Sequence, residues 1–240
     1  MANNYFQFKQ FTVQQQHCAM KVCTDACVFA AIAANRIAAE KIPVDNILDI
    51  GTGTGLLGLM LAQKTTAVID AIETDEAAWA TATQNFAHSP WAHRLNALHV
   101  NAINFTSAKK YDCIISNPPF FEGDLPSADE KRNAAMHSSE LNFAMLLSVI
   151  KKHLSSNGFF CVLLPFHRME YFETLAAKEN YFCFAKTMIK QTVQHSFFRS
   201  VLFFSGKPAA TAVDTLTIKN EQGMYTNDFI LLLKDYYLYL

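Results

Sequence analysis

The chain has 240 residues, 51% of them apolar, and its 20 basic and 21 acidic side chains leave a formal charge of −1. That balance excludes a globally basic nucleic-acid binder, though not a local basic groove. Eight glycines and seven prolines exclude collagen-like and Pro/Gly-driven disordered classes, and the longest apolar runs, such as 158–165, fall far short of the ~20 residues of a membrane span. From the N-terminus, residues 1–11 show no basic segment followed by an apolar stretch, so no secretory leader is expected and the compartment is read as cytoplasmic. Cys18, Cys23, Cys27, Cys113, Cys161 and Cys183 contain no CxxC pair. They are read as reduced thiols packed as small hydrophobes, with no metal site.

The first predicted helix spans 24–39, with Thr24 as N-cap, Asp25 in its first turn and Pro43 beyond its end. From Asn46 onward short apolar runs alternate with helical patterns: strands at 46–50, 67–73, 95–100, 111–116 and 159–164, and helices at 55–63, 75–88 and 140–154. The last helix places Phe143, Leu146, Leu147, Ile150 and Leu154 on one stripe, with Lys151 and Lys152 facing away. Such alternation implies a parallel sheet with helices on both faces. After a helix near 168–178 the pattern changes. Runs at 181–190 and 196–205 are separated by too few residues for a parallel crossover, so they read as an antiparallel hairpin. A small strand at 214–219 and a closing helix with Phe229, Leu232, Leu233, Tyr236 and Leu240 on one stripe end the chain. The expected organisation is one domain: an N-terminal extension (1–45), a core (46–208) and a C-terminal decoration (209–240).

Two motifs carry the chemistry. Asp49, Gly51, Gly53 and Gly55 lie where the first core strand turns into a helix. Residues without Cβ let backbone amides approach a ligand closely while the chain bends sharply. Glu73 ends the next strand about 20 residues after Gly51, where a carboxylate can accept both hydroxyls of an adenosine ribose. Gly51, Gly53 and Gly55 form GxGxG, a pattern of S-adenosylmethionine enzymes, while Gly53, Gly55 and Gly58 also satisfy the dinucleotide pattern GxGxxG. A strand ending at Ile50 favours the first register. The second motif is Asn117-Pro118-Pro119-Phe120, after the strand at 111–116. Two prolines fix a rigid corner. The Asn117 side-chain oxygen and the Pro118 carbonyl can accept both hydrogens of one planar NH2 group, and Phe120 offers a stacking face. Two fixed acceptors favour a pyramidal nitrogen and expose an otherwise delocalised lone pair to a methyl donor.

This constellation strongly resembles class I SAM-dependent methyltransferases of the [DN]PP[YF] subgroup, which methylate planar nitrogens. Their fold is Rossmann-like α/β, a seven-stranded mostly parallel sheet with an antiparallel last strand. The similarity extends outward. Phe8 to Val13, Cys18 to Val22, Thr24-Asp25, Ser89 to Ala92 and Tyr225 through Leu238 look like bacterial tRNA1(Val) adenine-N6 methyltransferases. The resemblance implies methyl transfer from S-adenosylmethionine to N6 of adenine 37, beside the anticodon. It implies cofactor contacts from Asp49, Gly51, Gly53, Gly55 and Glu73, and a base site at Asn117 to Phe120. Asn101 stands where the family pattern has Asp against the cofactor adenine, Phe120 replaces a common Tyr, and Cys23 replaces a common Gly. Lys21, Thr24 and Asp25 would cover the cofactor.

A tRNA partner requires positive surface. Candidates are Lys9, Lys21, Lys131, Arg132, Lys186, Lys190 and Arg199, with Lys186 and Lys190 on one face of a strand; His137 could touch substrate. No metal, membrane or partner subunit is expected, and the chain is read as a monomer. Three rivals stay open: a glutamine-amide protein methyltransferase, an NAD-dependent oxidoreductase using the shifted glycines, and a non-catalytic RNA-binding protein that kept the fold.

Overall fold

The computed structural model describes residues 3–16, 18, 21–39, 44–118 and 143–240. Two short strands, β1 (Tyr5–Gln7) and β2 (Thr12–Gln14), form an antiparallel hairpin ahead of helix α1 (Thr24–Ala39). The alternation then unfolds as β3 (Asn46–Ile50), α2 (Leu56–Lys64), β4 (Val68–Glu73), α3 (Glu76–Ala87), β5 (Leu95–His99) and β6 (Tyr111–Ser116). It continues through α4 (Phe143–His153), β7 (Leu154–Pro165), α5 (Met169–Lys178), β8 (Phe182–Thr192), β9 (Phe197–Ser205), β10 (Ala212–Lys219) and α6 (Asn227–Leu233).

Strands β3 to β10 make one sheet in the order β10-β8-β9-β7-β6-β3-β4-β5. Only β9 runs against its neighbours, being antiparallel to both β7 and β8. The expected hairpin is therefore β8–β9. The expected strand count is corrected from seven to eight, because β10, read as part of a peripheral decoration, pairs in parallel with β8 and extends the sheet. Side chains alternate between two cores, as a pleated strand dictates. Ile47, Cys113, Ile115, Cys161 and Leu163 enter the core shared with α1, α2 and α6. Leu48, Ile50, Ile114, Phe160 and Val162 enter the core shared with α4 and α5. Asp70 in β4 is one buried polar residue; Asn96, Lys109 and Tyr111 donate to its carboxylate at 2.8–2.9 Å.

Two local expectations are corrected. Thr24 is the first residue of α1 instead of its cap; the Cys27 amide donates to the Cys23 carbonyl. The closing stripe stops early, because α6 ends at Leu233. Tyr236 is buried beyond it, its hydroxyl donating to the Met60 carbonyl, whereas Leu240 is 41% exposed. Of the sequence candidates, Pro119, Phe120, Lys131, Arg132 and His137 lie outside the described residues.

Candidate functional site

In an open parallel sheet ligands bind at the carboxyl edge, where strand order reverses. Here that point lies between β3 and β6, with β4 on the far side of β3. Ile50 and Ser116 are register partners across it, and the Ser116 hydroxyl donates to the Ile50 carbonyl at 2.9 Å. The glycine turn begins one residue after Ile50 and the Asn117 corner one residue after Ser116. The fold thus brings the two sequence motifs side by side.

The turn starts directly at the strand end, with the Gly51 and Thr52 amides donating to the Ile72 carbonyl at 2.9 and 3.2 Å. Gly51, Gly53 and Gly55 have φ of 74°, 57° and 82°, the left-handed region that side chains disfavour. Gly58 instead lies within α2, packed against Phe86. The GxGxG register is the one the backbone uses. A Cβ on Gly51 or Gly53 would meet nothing within 4 Å, whereas one on Gly55 would meet Phe86 Cε1 at 2.6 Å. Packing accounts for Gly55 alone. The open space beside the other two is what a ligand lying close against the backbone needs.

Glu73, at the end of β4, faces this turn. Its Oε2 accepts from the Gly53 amide at 2.8 Å, and its Oε1 accepts from the amides of Thr74 and Asp75 at 2.8 and 3.0 Å. Asp75 in turn caps α3, accepting from the Ala78 amide. Beneath the turn, Asp49 is fully buried. Its Oδ2 accepts from the Thr52 hydroxyl at 2.6 Å, while its Oδ1 has no partner at hydrogen-bonding distance. Burial raises its carboxyl to about 7; the Thr52 bond pulls it down and the Glu73 charge pushes it further up. A carboxyl whose folded value exceeds its unfolded value of about 4 loses stability as pH rises from about 4 to 7, and nothing below that window. Asp49→Asn removes the buried charge. The variant is expected to melt several degrees above the parent at pH 8, with the gain vanishing near pH 4, as thermal denaturation across pH would read.

At the neighbouring corner Pro118 is buried, and Asn117 Oδ1 is a buried oxygen without a hydrogen-bond partner among the described residues. Native proteins seldom leave such an acceptor orphaned, and those that do reserve it for something else. Asn101 is differently placed: its Oδ1 accepts from the Ile103 amide at 2.9 Å and caps a short 3-10 turn, so one lone pair of the expected acceptor is already committed.

The RNA candidates separate. Lys186 and Lys190 lie on the face of β8 opposite the buried Ala185 and Ile189, as expected. Lys186 is paired with Glu173 at 3.0 Å, however, and Arg199 with Asp25 at 2.9 Å. Their charges are therefore each paired within the protein. Asp25 is correspondingly engaged, and Lys9 donates to the Lys234 carbonyl. Lys21 and Thr24 are exposed on the approach to α1. Lys190 keeps its ammonium 5.7 Å from the centroid of Phe197, which packs on Phe166 at 5.2 Å. Phe166 follows the end of β7, parallel to β6, so this pair stands on the same sheet edge as Asn117. No sequence pattern singled out Phe166, Phe197, Thr52 or Asn85; the last is a polar residue on the buried stripe of α3, which is the one signal that could have found it.

Comparison with known proteins places this architecture. The model of the Methyltransferase small domain matches residues 19–164. A tRNA1(Val) (adenine(37)-N6)-methyltransferase of Dyadobacter fermentans is 41% identical over 98% of both chains, and one of Christiangramia forsetii is 37% identical over the whole of both. The chain belongs to the tRNA1(Val) (adenine(37)-N6)-methyltransferase family. Solved structures agree on the fold. A predicted O-methyltransferase from Agrobacterium tumefaciens superposes with a TM-score of 0.68 at 15% identity, covering 88% of this chain and 96% of that one. A glycopeptide N-methyltransferase complexed with S-adenosylmethionine gives 0.57 at 12% identity, over 81% and 100%. Among the described residues of this family member, no helix is long and apolar enough to cross a membrane, and no cluster of His, Cys, Asp or Glu could hold a metal.

Proposed function

We propose that this methyltransferase moves a methyl group from S-adenosylmethionine to the exocyclic N6 of adenine 37 in tRNA1(Val). The observation that carries the reading is the orphaned, buried Asn117 Oδ1 one strand away from an uncovered glycine turn. The turn and its surroundings fit S-adenosylmethionine: Gly51 and Gly53 leave room at the backbone, and Glu73 Oε2 retains a lone pair for a ribose hydroxyl. When bound, that cofactor supplies an electrophilic methyl on a sulfonium. Asn117 Oδ1 and the Pro118 carbonyl accept the two amine hydrogens, hold the base nitrogen in line and keep its lone pair free. Most of the acceleration then comes from positioning and preorganised dipoles, and the proton leaves nitrogen after the methyl arrives. An anticodon-loop base is single-stranded, which lowers the cost of turning it into the site. Residues 1–240 act as one unit, a cytoplasmic monomer.

Incubation with labelled S-adenosylmethionine and total tRNA, followed by nucleoside mass spectrometry, tests the reading. Labelled N6-methyladenosine is expected; label only in protein would establish the glutamine-amide alternative instead. On the substrate side, Lys190 supplies a cation for the RNA backbone beside the Phe166–Phe197 pair. Base–aromatic stacking is worth ~1–3 kcal/mol, so Phe197→Ala and Lys190→Ala are each expected to raise KM for tRNA about fivefold or more. Their affinity for S-adenosylmethionine should not move. An unchanged tRNA KM at saturating cofactor would take both residues out of the RNA surface.

A further inference from the structure

The inward face of α3 carries Ala78, Thr81, Ala82, Asn85 and Phe86. One of these, Asn85, is an amide only 2% exposed. Burying an amide is unfavourable unless its hydrogen bonds are made, and here three are. Oδ1 accepts from the Gln14 amide at 2.8 Å, and Nδ2 donates to the Gln14 carbonyl at 3.0 Å and to the Thr54 carbonyl at 2.8 Å. Toward β2 the side chain behaves as a neighbouring strand would, satisfying both backbone groups of Gln14. Its remaining hydrogen reaches the glycine turn. The next residue, Phe86, lies against Gly55 in the same turn. Asn85 and Phe86 together fix the turn from behind.

The segment that Asn85 holds continues toward the cofactor side. Gln15 is buried; its Oε1 accepts from the Val22 amide at 2.8 Å and its Nε2 donates to the Asn3 carbonyl at 2.9 Å. Cys18, between Gln15 and Val22, is buried against Thr81, within the field of the Asp75 and Glu73 carboxylates.

We infer that Asn85 is a positioning residue for cofactor binding, locking strand β2 to the glycine turn so that the turn is held in the conformation the cofactor meets. The inference rests on the cofactor reading above. Without the amide, Thr54 and Gln14 lose a common anchor, and the turn and the strand beside it must be ordered by the ligand itself. Affinity suffers while the chemical step, governed by Asn117, does not.

The test is calorimetric titration of the full chain with S-adenosylmethionine, using Asn85→Asp, Asn85→Ala and Gln14→Pro. The aspartate keeps the acceptor and loses both donors; the proline removes the Gln14 amide from the other side. Each is expected to weaken binding about tenfold, with kcat at saturating cofactor within about twofold of wild type. Combining Asn85→Ala with Gln14→Pro should weaken it less than the two single effects together, since both break one linkage. If Asn85→Ala does not fold, the other two variants decide. Wild-type affinity in folded variants, or kcat falling in step with melting temperature, overturns the role of Asn85. Failure of the wild type to bind S-adenosylmethionine overturns the cofactor reading beneath it.

Discussion

Asn117→Ala is expected to lower kcat by about 10²- to 10³-fold, the loss typical when one preorganised polar contact to the reacting group is removed, with S-adenosylmethionine affinity within about threefold. Stability should not follow activity down. Asn117 Oδ1 is buried without a donor among the described residues, and an unsatisfied buried acceptor costs a protein ~1–3 kcal/mol. Deleting it removes that cost, so the alanine variant should melt at or above the wild-type temperature. A residue kept for folding would show the opposite. Asn117→Asp retains an acceptor oxygen and should keep part of the activity. The pair of measurements is single-turnover methylation of tRNA and thermal denaturation. Wild-type turnover in Asn117→Ala would remove the assigned role, and a large fall in melting temperature would make the residue structural.

That contrast between activity and stability also explains what the sequence disclosed. Buried parallel strands are mostly apolar on both faces, so β3, β6 and β7 appear as short, mostly apolar runs, and their carboxyl ends locate the site from pattern alone. Gly51, Gly53 and Gly55 were legible because a left-handed turn restricts the residue type locally. What was hidden depends on partners far along the chain. Arg199 reads as a surface cation until Asp25, 174 residues away, is found against it. Lys186 reads likewise until α5 brings Glu173. The β1–β2 hairpin has three-residue strands and turns through Phe8-Lys9-Gln10-Phe11, with no Gly, Asn or Pro to announce it. It is held by Asn85 and by packing of Phe8 and Phe11 on the body of the protein. Strand β10 was visible as a strand, but its place in the sheet follows from a pairing with β8 that local pattern does not encode.

Glu73→Ala should weaken S-adenosylmethionine binding by about 100-fold, and two separate losses combine to that figure. The free lone pair on Oε2 is the ribose acceptor, and a hydrogen bond to a charged group contributes ~1.5–3 kcal/mol. The same carboxylate also accepts from Gly53, Thr74 and Asp75, so its removal releases the glycine turn from the end of β4. Glu73→Gln separates the two contributions. One glutamine oxygen can still serve part of this set, but its NH2 meets backbone donors with another donor, so an intermediate loss of about tenfold is expected. At saturating cofactor kcat should fall much less than Kd rises, since neither loss touches Asn117. The Glu73 charge also helps to hold the Asp49 carboxyl up near neutrality. In Glu73→Ala the pH window over which Asp49→Asn stabilises should therefore shift downward, a response that follows from charge alone and not from loop disorder. Unchanged cofactor affinity in Glu73→Ala would remove the ribose assignment, whatever the loop does.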